Sequence, residues 1–93
     1  MAMIPVTPLE VRVRTDWFDG RPRTIRIDRA TVPVVSVEAV REESAAHPVA
    51  SGPRTVFRVL TPEARYALTY QHLHRRWFVE ALDPDVRRPP VAA

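Results

Sequence analysis

Alternating apolar and polar residues mark several segments of the chain, and a period of two is typical of strands buried on one face. The first segment runs from Leu9 to Thr15 and the second from Arg23 to Asp28. A third, from Val32 to about Val40, is apolar on both faces for part of its length, which predicts a central strand. Residues 41–53 lack a period and predict a loop, after which Arg54 to Leu60 resume a β pattern.

Residues 61–82 fit two structures equally well. Thr61, Pro62 and Glu63 form a good helix N-terminus, because a hydroxyl caps the first turn and proline is favoured at its start. Apolar residues then recur at helical spacing. The segment also divides into two alternating strands, over 65–70 and 75–82, joined by a turn around 71–74. The pattern alone leaves both a C-terminal helix over residues 62–82 and a β-hairpin open.

The length of 93 residues predicts one small domain with a thin margin of stability. We place this domain at residues 1–84 and expect residues 85–93, which carry few apolar side chains, to form a flexible tail. No cysteine is present, which excludes disulfides, thiolate nucleophiles and cysteine-based zinc sites. The sequence shows no signal peptide and no apolar run of membrane-spanning length, so we expect a cytoplasmic protein without membrane contact.

The high sequence pI of about 10.5 overstates the positive field of the protein. The net charge is only +3, and all 14 basic residues are arginines, which do not titrate below about pH 12. Two explanations remain open: either the codon usage of a GC-rich bacterial genome accounts for the absence of lysine, or the arginines form a functional surface.

The register of the first hairpin follows from parity. A two-residue turn at Asp19-Gly20 would set apolar residues opposite polar ones, and neither face of the sheet could be buried. A three-residue loop over 18–20 instead places Val13 opposite Ile25 and puts glycine where a left-handed residue is needed. In this register Trp17 pairs with the residue across the turn, and its side chain lies on the face of the hairpin that packs on the core. We therefore predict that Trp17 covers the edge of the core.

The opposite face of this hairpin carries arginines, with Arg12 opposite Arg26. Like charges opposite each other are unfavourable, although diagonal pairs with Glu10 and Asp28 would neutralise the face. Alternatively, these arginines bind an anionic partner. Arg75 and Arg76 also adjoin an aromatic pair, an arrangement that suits phosphate contact and base stacking. The candidate nucleic-acid contacts are Arg12, Arg14, Arg26, Arg75 and Arg76.

No arrangement of residues predicts catalysis. His72 and His74 could share a face of a strand, but a zinc site needs three or four protein ligands, and His47 lies in the predicted loop. The chain has only two glycines and therefore no glycine-rich phosphate loop, and its serines lack a nucleophile motif. We predict that the protein is not an enzyme and has no catalytic, cofactor-binding or metal-binding residues.

The stretch from Pro8 to Asp83 resembles a small bacterial domain of unknown function, found alone or at the C-terminus of Y-family-polymerase-like proteins. The resemblance is carried by Gly20-Arg21-Pro22 followed by TIRI, by Val34 to Val40, by Val56-Phe57-Arg58-Val59, and by Leu68, Tyr70 and Arg76-Trp77. The chain departs from the family pattern in its second strand, which carries isoleucines where the family has tryptophans. The resemblance implies that residues 61–82 form strands, and it implies no catalytic residues.

We therefore predict an all-β protein, a small antiparallel sheet or open barrel of about six strands. The alternative is an α+β fold with the C-terminal helix. As function we predict a non-catalytic binding or accessory module that contacts nucleic acid through its arginine face and uses no cofactor. The alternative is a protein–protein interaction module, such as a homodimer that pairs edge strands, with no nucleic-acid role.

Overall fold

The computed structural model describes residues 3–43 and 52–85, and these residues form seven strands and no helix. The strands are β1 Ile4–Thr15, β2 Pro22–Ile27, β3 Ala30–Pro33, β4 Ser36–Glu43, β5 Arg54–Leu60, β6 Arg65–Gln71 and β7 Arg76–Asp83. The prediction of an all-β domain is confirmed, and its alternative, a helix over residues 62–82, is wrong. Within the described ranges, no helix is long and apolar enough to cross a membrane.

The helix-capping residues at the start of this region instead close a hairpin. The Thr61 hydroxyl accepts hydrogen bonds from the amides of Glu63 (3.2 Å) and Ala64 (3.0 Å), as a helix cap would. The same hydroxyl donates to the carbonyl of Ala64 at 2.6 Å, and the Thr61 amide donates to that carbonyl at 2.9 Å. These hydrogen bonds therefore close a tight turn and do not start a helix. The chain continues from the turn as strand β6, because the alternating residues that follow pair with β5.

All seven strands belong to one antiparallel sheet in the order β3-β2-β1-β7-β6-β5-β4, which curls into a half-barrel. Its inner face carries the core, formed by the buried side chains of Val11, Ile25, Phe57, Val59, Leu68 and Val79. Burying each such side chain stabilises the fold by roughly 1.5–3 kcal/mol. Polar side chains, arginines above all, occupy much of the outer face.

The third predicted strand divides in two, and its predicted central position is wrong. β3 pairs only with β2, and β4 pairs only with β5, so the two halves form the two edges of the sheet. The chain changes partner at Val34 and Val35, just after Pro33, which has no amide hydrogen to continue a ladder. The Val34 amide donates to the carbonyl of Arg23 (2.8 Å), and the next amide donates to that of Leu60 (2.7 Å). These two residues therefore join the ends of the curled sheet; the Val34 side chain packs against the core, whereas that of Val35 is exposed.

The predicted loop and tail fall largely outside the described residues. The loop was predicted over residues 41–53, but residues 41–43 belong to β4, where Glu43 pairs with Arg54. Residues 44–51, with His47 among them, lie outside the described part of the chain. So do residues 86–93, which make up most of the predicted tail.

Candidate nucleic-acid interface

The first hairpin brings three of the five candidate arginines onto one exposed face. Arg12 lies directly opposite Arg26, and Val13 lies opposite Ile25, as the parity argument predicted. Arg14 projects from the same outer face, since the inner face holds the alternate residues Val11 and Val13. We call Arg12, Arg14 and Arg26 the arginine face.

No carboxylate of the described residues forms an ion pair with the arginine face, although Glu10 and Asp28 border the same surface depression as Arg12 and Arg26. Ion pairs among the described residues connect other arginines to acids, and none includes Arg12, Arg14 or Arg26. The diagonal pairs considered above do not form: Glu10 instead lies 3.7 Å from Arg76, and Asp28 leaves the strand at a turn with a φ of 54°. Guanidinium groups that have no internal partner are available to an anion.

The other two candidate arginines, Arg75 and Arg76, lie outside the arginine face at two different places. Arg76 is the first residue of β7 and directly precedes Trp77, which pairs with Val11 of β1. Arg76 therefore lies beside the arginine face, on the neighbouring strand, and its guanidinium contacts Glu10. Arg75 belongs to the turn between β6 and β7, with a φ of 55°, and its amide donates to the carbonyl of Gln71 at 2.8 Å. This arginine therefore lies on the rim of the half-barrel and not on the face.

The turn of the first hairpin presents two aromatic side chains to solvent, and the prediction that Trp17 covers the core is wrong. Trp17 is 92% exposed and Phe18 is 83% exposed. Their rings contact each other edge to face, with centroids 5.6 Å apart. Such large exposed aromatic side chains are unusual on a surface without a binding role.

A β-bulge explains the error. The register of β1 and β2 shifts at Thr15, which pairs with Pro22 and leaves Arg23 as an extra residue in β2. Pro22 is buried and lies opposite Thr15, in the inner position that the regular register assigned to Arg23. The loop consequently has four residues, 17–20, and Trp17 lies outside the ladder.

Two aspartates hold this turn in shape. The Asp16 carboxylate accepts the amide of Phe18 at 2.7 Å and lies 2.9 Å from the guanidinium of Arg23. The hydrogen bond from the Phe18 amide, together with the nearby Arg23, holds the pKa of Asp16 below its ordinary value. The Asp19 carboxylate accepts the amide of Arg21 at 2.9 Å. The aromatic side chains are therefore carried by an ordered turn.

A cleft opens on the inner face beneath this turn, at the mouth of the half-barrel. It measures about 330 Å³, and its walls include Val13, Thr55, Phe57, Tyr70, His72 and Trp77. Sequence reasoning did not find it, because its walls come from separate strands. One signal was available: a turn around residues 71–74 brings Tyr70 and Trp77 together, and they are a cross-strand pair.

The described residues offer no third metal ligand beside the histidines of the turn between β6 and β7. The Nε2 atom of His72 lies 2.8 Å from the hydroxyl of Thr55, so one ring nitrogen already has a protein partner. His72 and His74 belong to a turn and not to a strand. Within residues 3–43 and 52–85, no group of three or more potential metal ligands occurs.

Comparison with protein-family models, with curated proteins and with solved structures finds no match for this chain.

Proposed function

We propose that this chain is a non-catalytic module that binds single-stranded nucleic acid through its first hairpin. One observation carries the proposal: two exposed aromatic side chains, Trp17 and Phe18, lie at the tip of a hairpin whose outer face bears three arginines that form no ion pair with the described acidic residues. Aromatic side chains stack on unpaired bases, and guanidinium groups contact phosphates. The resemblance predicted from the sequence, to a domain of Y-family-polymerase-like proteins, would imply a role beside enzymes that act on nucleic acid.

Single strands suit this surface better than duplexes. Stacking requires the flat face of a base, and in a duplex that face is covered by the neighbouring bases. Each base stacked on an aromatic side chain contributes about 1–3 kcal/mol. The arginine face supplies three phosphate contacts, and a net charge of +3 adds little long-range attraction. We therefore expect modest affinity that depends on salt and is tolerant of sequence.

A fluorescence titration tests the proposal directly, because the chain has only two tryptophans. The variant Trp77→Phe leaves Trp17 as the only tryptophan. Adding an oligothymidylate of about twelve nucleotides should quench its emission. The logarithm of the binding constant should fall with the logarithm of salt concentration with a slope of about −2, since each of three contacts contributes about −0.7.

Arginine variants identify the face that binds. Arg12→Ala and Arg26→Ala, each made in the Trp77→Phe background, should each weaken binding and reduce the steepness of the salt dependence by about 0.7. Arg41→Ala is the matched control: Arg41 is also exposed, but it lies on β4 and contacts Glu43 at 2.7 Å. Absence of quenching at low salt would refute the proposal. Equal effects of the Arg12 and Arg41 variants would refute the assignment to the hairpin.

The alternative function, a protein–protein module, has one structural feature in its favour. β4 is an eight-residue edge strand that pairs only with β5, and its Val40 is 46% exposed. Exposed edge strands can pair with a second chain. Light scattering that gives the mass of a dimer, together with no binding of the oligonucleotide, would favour this alternative.

A further inference from the structure

The cleft at the mouth of the half-barrel differs in chemistry from the arginine face on the other side of the sheet. Three aromatic side chains line it, and its described walls contain neither an arginine nor a carboxylate. Its volume of about 330 Å³ lies at the lower end of the range for small-ligand sites, which often occupy the mouths of β-barrels. A phosphate would find no countercharge there, so the cleft favours an uncharged ligand.

The aromatic walls favour a flat ring. The Trp77 ring lies 4.8 Å from that of Tyr70 and 5.4 Å from that of Phe57, measured between centroids. The planes are tilted by 44° and 38°, so these rings do not form a closed parallel stack. Trp77 is only half-buried although it packs against the core, because one side of its ring borders the cleft.

One polar pair gives the cleft a hydrogen-bonding wall. Thr55 is only 7% exposed, and its hydroxyl lies 2.8 Å from Nε2 of His72. A hydroxyl has one donor and two acceptor positions, so this contact leaves Thr55 free to make a further hydrogen bond to a ligand. A flat, uncharged ring with a polar edge satisfies both kinds of wall, and a nucleobase is such a ring.

The cleft is also close to the proposed path of the nucleic acid. Gly20, the last residue of the turn that carries Trp17 and Phe18, borders it. A methyl group added at Gly20 would meet no atom within 4 Å, so the space beside this residue is open. A strand stacked on Trp17 needs only to cross this turn for its next base to reach the cleft.

We infer that the cleft binds one nucleobase of the single strand, stacked on Trp77 and hydrogen-bonded at the Thr55 hydroxyl. This inference rests on the proposed function, because the base belongs to the single strand that the hairpin binds. It assigns phosphate contact to the outer face and base recognition to the inner face. The site on Trp17 is then tolerant of sequence, and the cleft is the part of the molecule that discriminates between bases.

Free nucleosides test the cleft separately from the hairpin, because they carry no phosphate. The variant Trp17→Phe leaves Trp77 as the only tryptophan. Titration with adenosine, guanosine, cytidine and thymidine at millimolar concentration should quench Trp77 with at least one of them, independently of salt. Amide signals of Thr55, Tyr70 and His72 should shift in ¹H–¹⁵N spectra. Failure of all four nucleosides to produce either response would overturn the inference.

Two variants in the Trp17→Phe background link the response to the cleft. Thr55→Val removes the hydroxyl and should weaken nucleoside binding about two- to tenfold, the range expected for one hydrogen bond. The matched control Thr31→Val, at an exposed position on β3, should leave binding unchanged. Val13→Phe places a larger side chain in the cleft and should abolish the response while the protein keeps its thermal transition. Unaltered binding in the folded Val13→Phe variant would overturn the inference.

The two proposals fail in different ways. If the oligonucleotide quenches Trp17 but no nucleoside affects Trp77, the hairpin binds nucleic acid and the cleft assignment is wrong. If nucleosides quench Trp77 but the oligonucleotide has no effect on Trp17, the cleft binds bases and the hairpin proposal is wrong.

Discussion

Replacing Glu38 with glutamine should destabilise the protein strongly, because it leaves a buried guanidinium without its counterion. The Arg65 side chain is 8% exposed and that of Glu38 is 10% exposed. The Nε atom of Arg65 lies 3.0 Å and 3.2 Å from the two carboxylate oxygens of Glu38. A second nitrogen of the same guanidinium donates to the carbonyl of Asp85 at 2.9 Å. The pair connects β4 to β6 across the intervening β5.

The expected magnitude follows from this burial. Removing one partner of a buried ion pair costs about 3–5 kcal/mol, because the remaining charge stays desolvated. A small domain has a total stability of about 5–15 kcal/mol. For a chain of this size each kcal/mol lowers the melting temperature by about 4–8 °C, so Glu38→Gln should lower it by at least about 12 °C.

Thermal and urea denaturation followed by circular dichroism measure this loss. Glu42→Gln is the matched control, since Glu42 lies on the same strand but is exposed. The double variant Glu38→Met with Arg65→Met should recover most of the stability, because a well-packed apolar pair often replaces a buried ion pair without loss. A loss of less than about 1 kcal/mol for Glu38→Gln would show that the remaining contacts of Arg65 hold the charge, and our reasoning would be wrong.

Two further predictions concern the turn and acid stability. Gly20 has a φ of 74° with open space around it, so Gly20→Ala should cost about 1–2 kcal/mol from backbone strain alone, measured as a lower melting temperature; no loss would contradict the left-handed turn. The pKa of Glu43 is lowered, chiefly by the hydrogen bond from Arg54, so the unfolded chain binds more protons than the folded protein as pH falls. Stability from this carboxylate is therefore complete above its ordinary pKa of about 4.5 and lost as pH falls through the lower folded value. Melting curves between about pH 6 and pH 3 should show a smaller decline for Glu43→Gln than for Glu42→Gln; equal declines would contradict this account.

Local patterns were sufficient to predict much of the fold. Strand alternation predicted strands as far as Leu60 but left residues 61–82 open between a helix and a hairpin, where only the resemblance favoured strands. Parity identified the register of Val13 with Ile25, because burying one face of a hairpin restricts which residues can oppose each other. The division of the third segment could not be predicted. It depends on a change of partner, from β2 at Val34 to β5 at Val35, which the alternation within the segment does not reveal.

The candidate site could be predicted only in part. Arg12 and Arg26 were placed correctly, because a strand fixes the side of each residue once one face is known. Trp17 was placed wrongly, since one extra residue at Arg23 shifts the register at the end of the ladder and leaves Trp17 in the turn beyond it. The cleft depends on Thr55, Tyr70 and Trp77 meeting from three strands, and no single stretch of sequence contains that information.

The junction at Val34 and Val35 also has a consequence for the order of folding. Its two amides bond to Arg23 in β2 and Leu60 in β5, which stand at opposite sides of the strand order. Each bond extends a ladder between strands that follow each other in the chain, β2 with β3 and β4 with β5, whereas β1 pairs with β7 across most of the chain. Because closing a longer loop costs more entropy, we expect the two local ladders and the junction to form before β1 and β7 pair. Weakening the contacts between β1 and β7 should then accelerate unfolding while folding keeps its rate, so the pairing of the first and last strands controls the lifetime of the curled sheet.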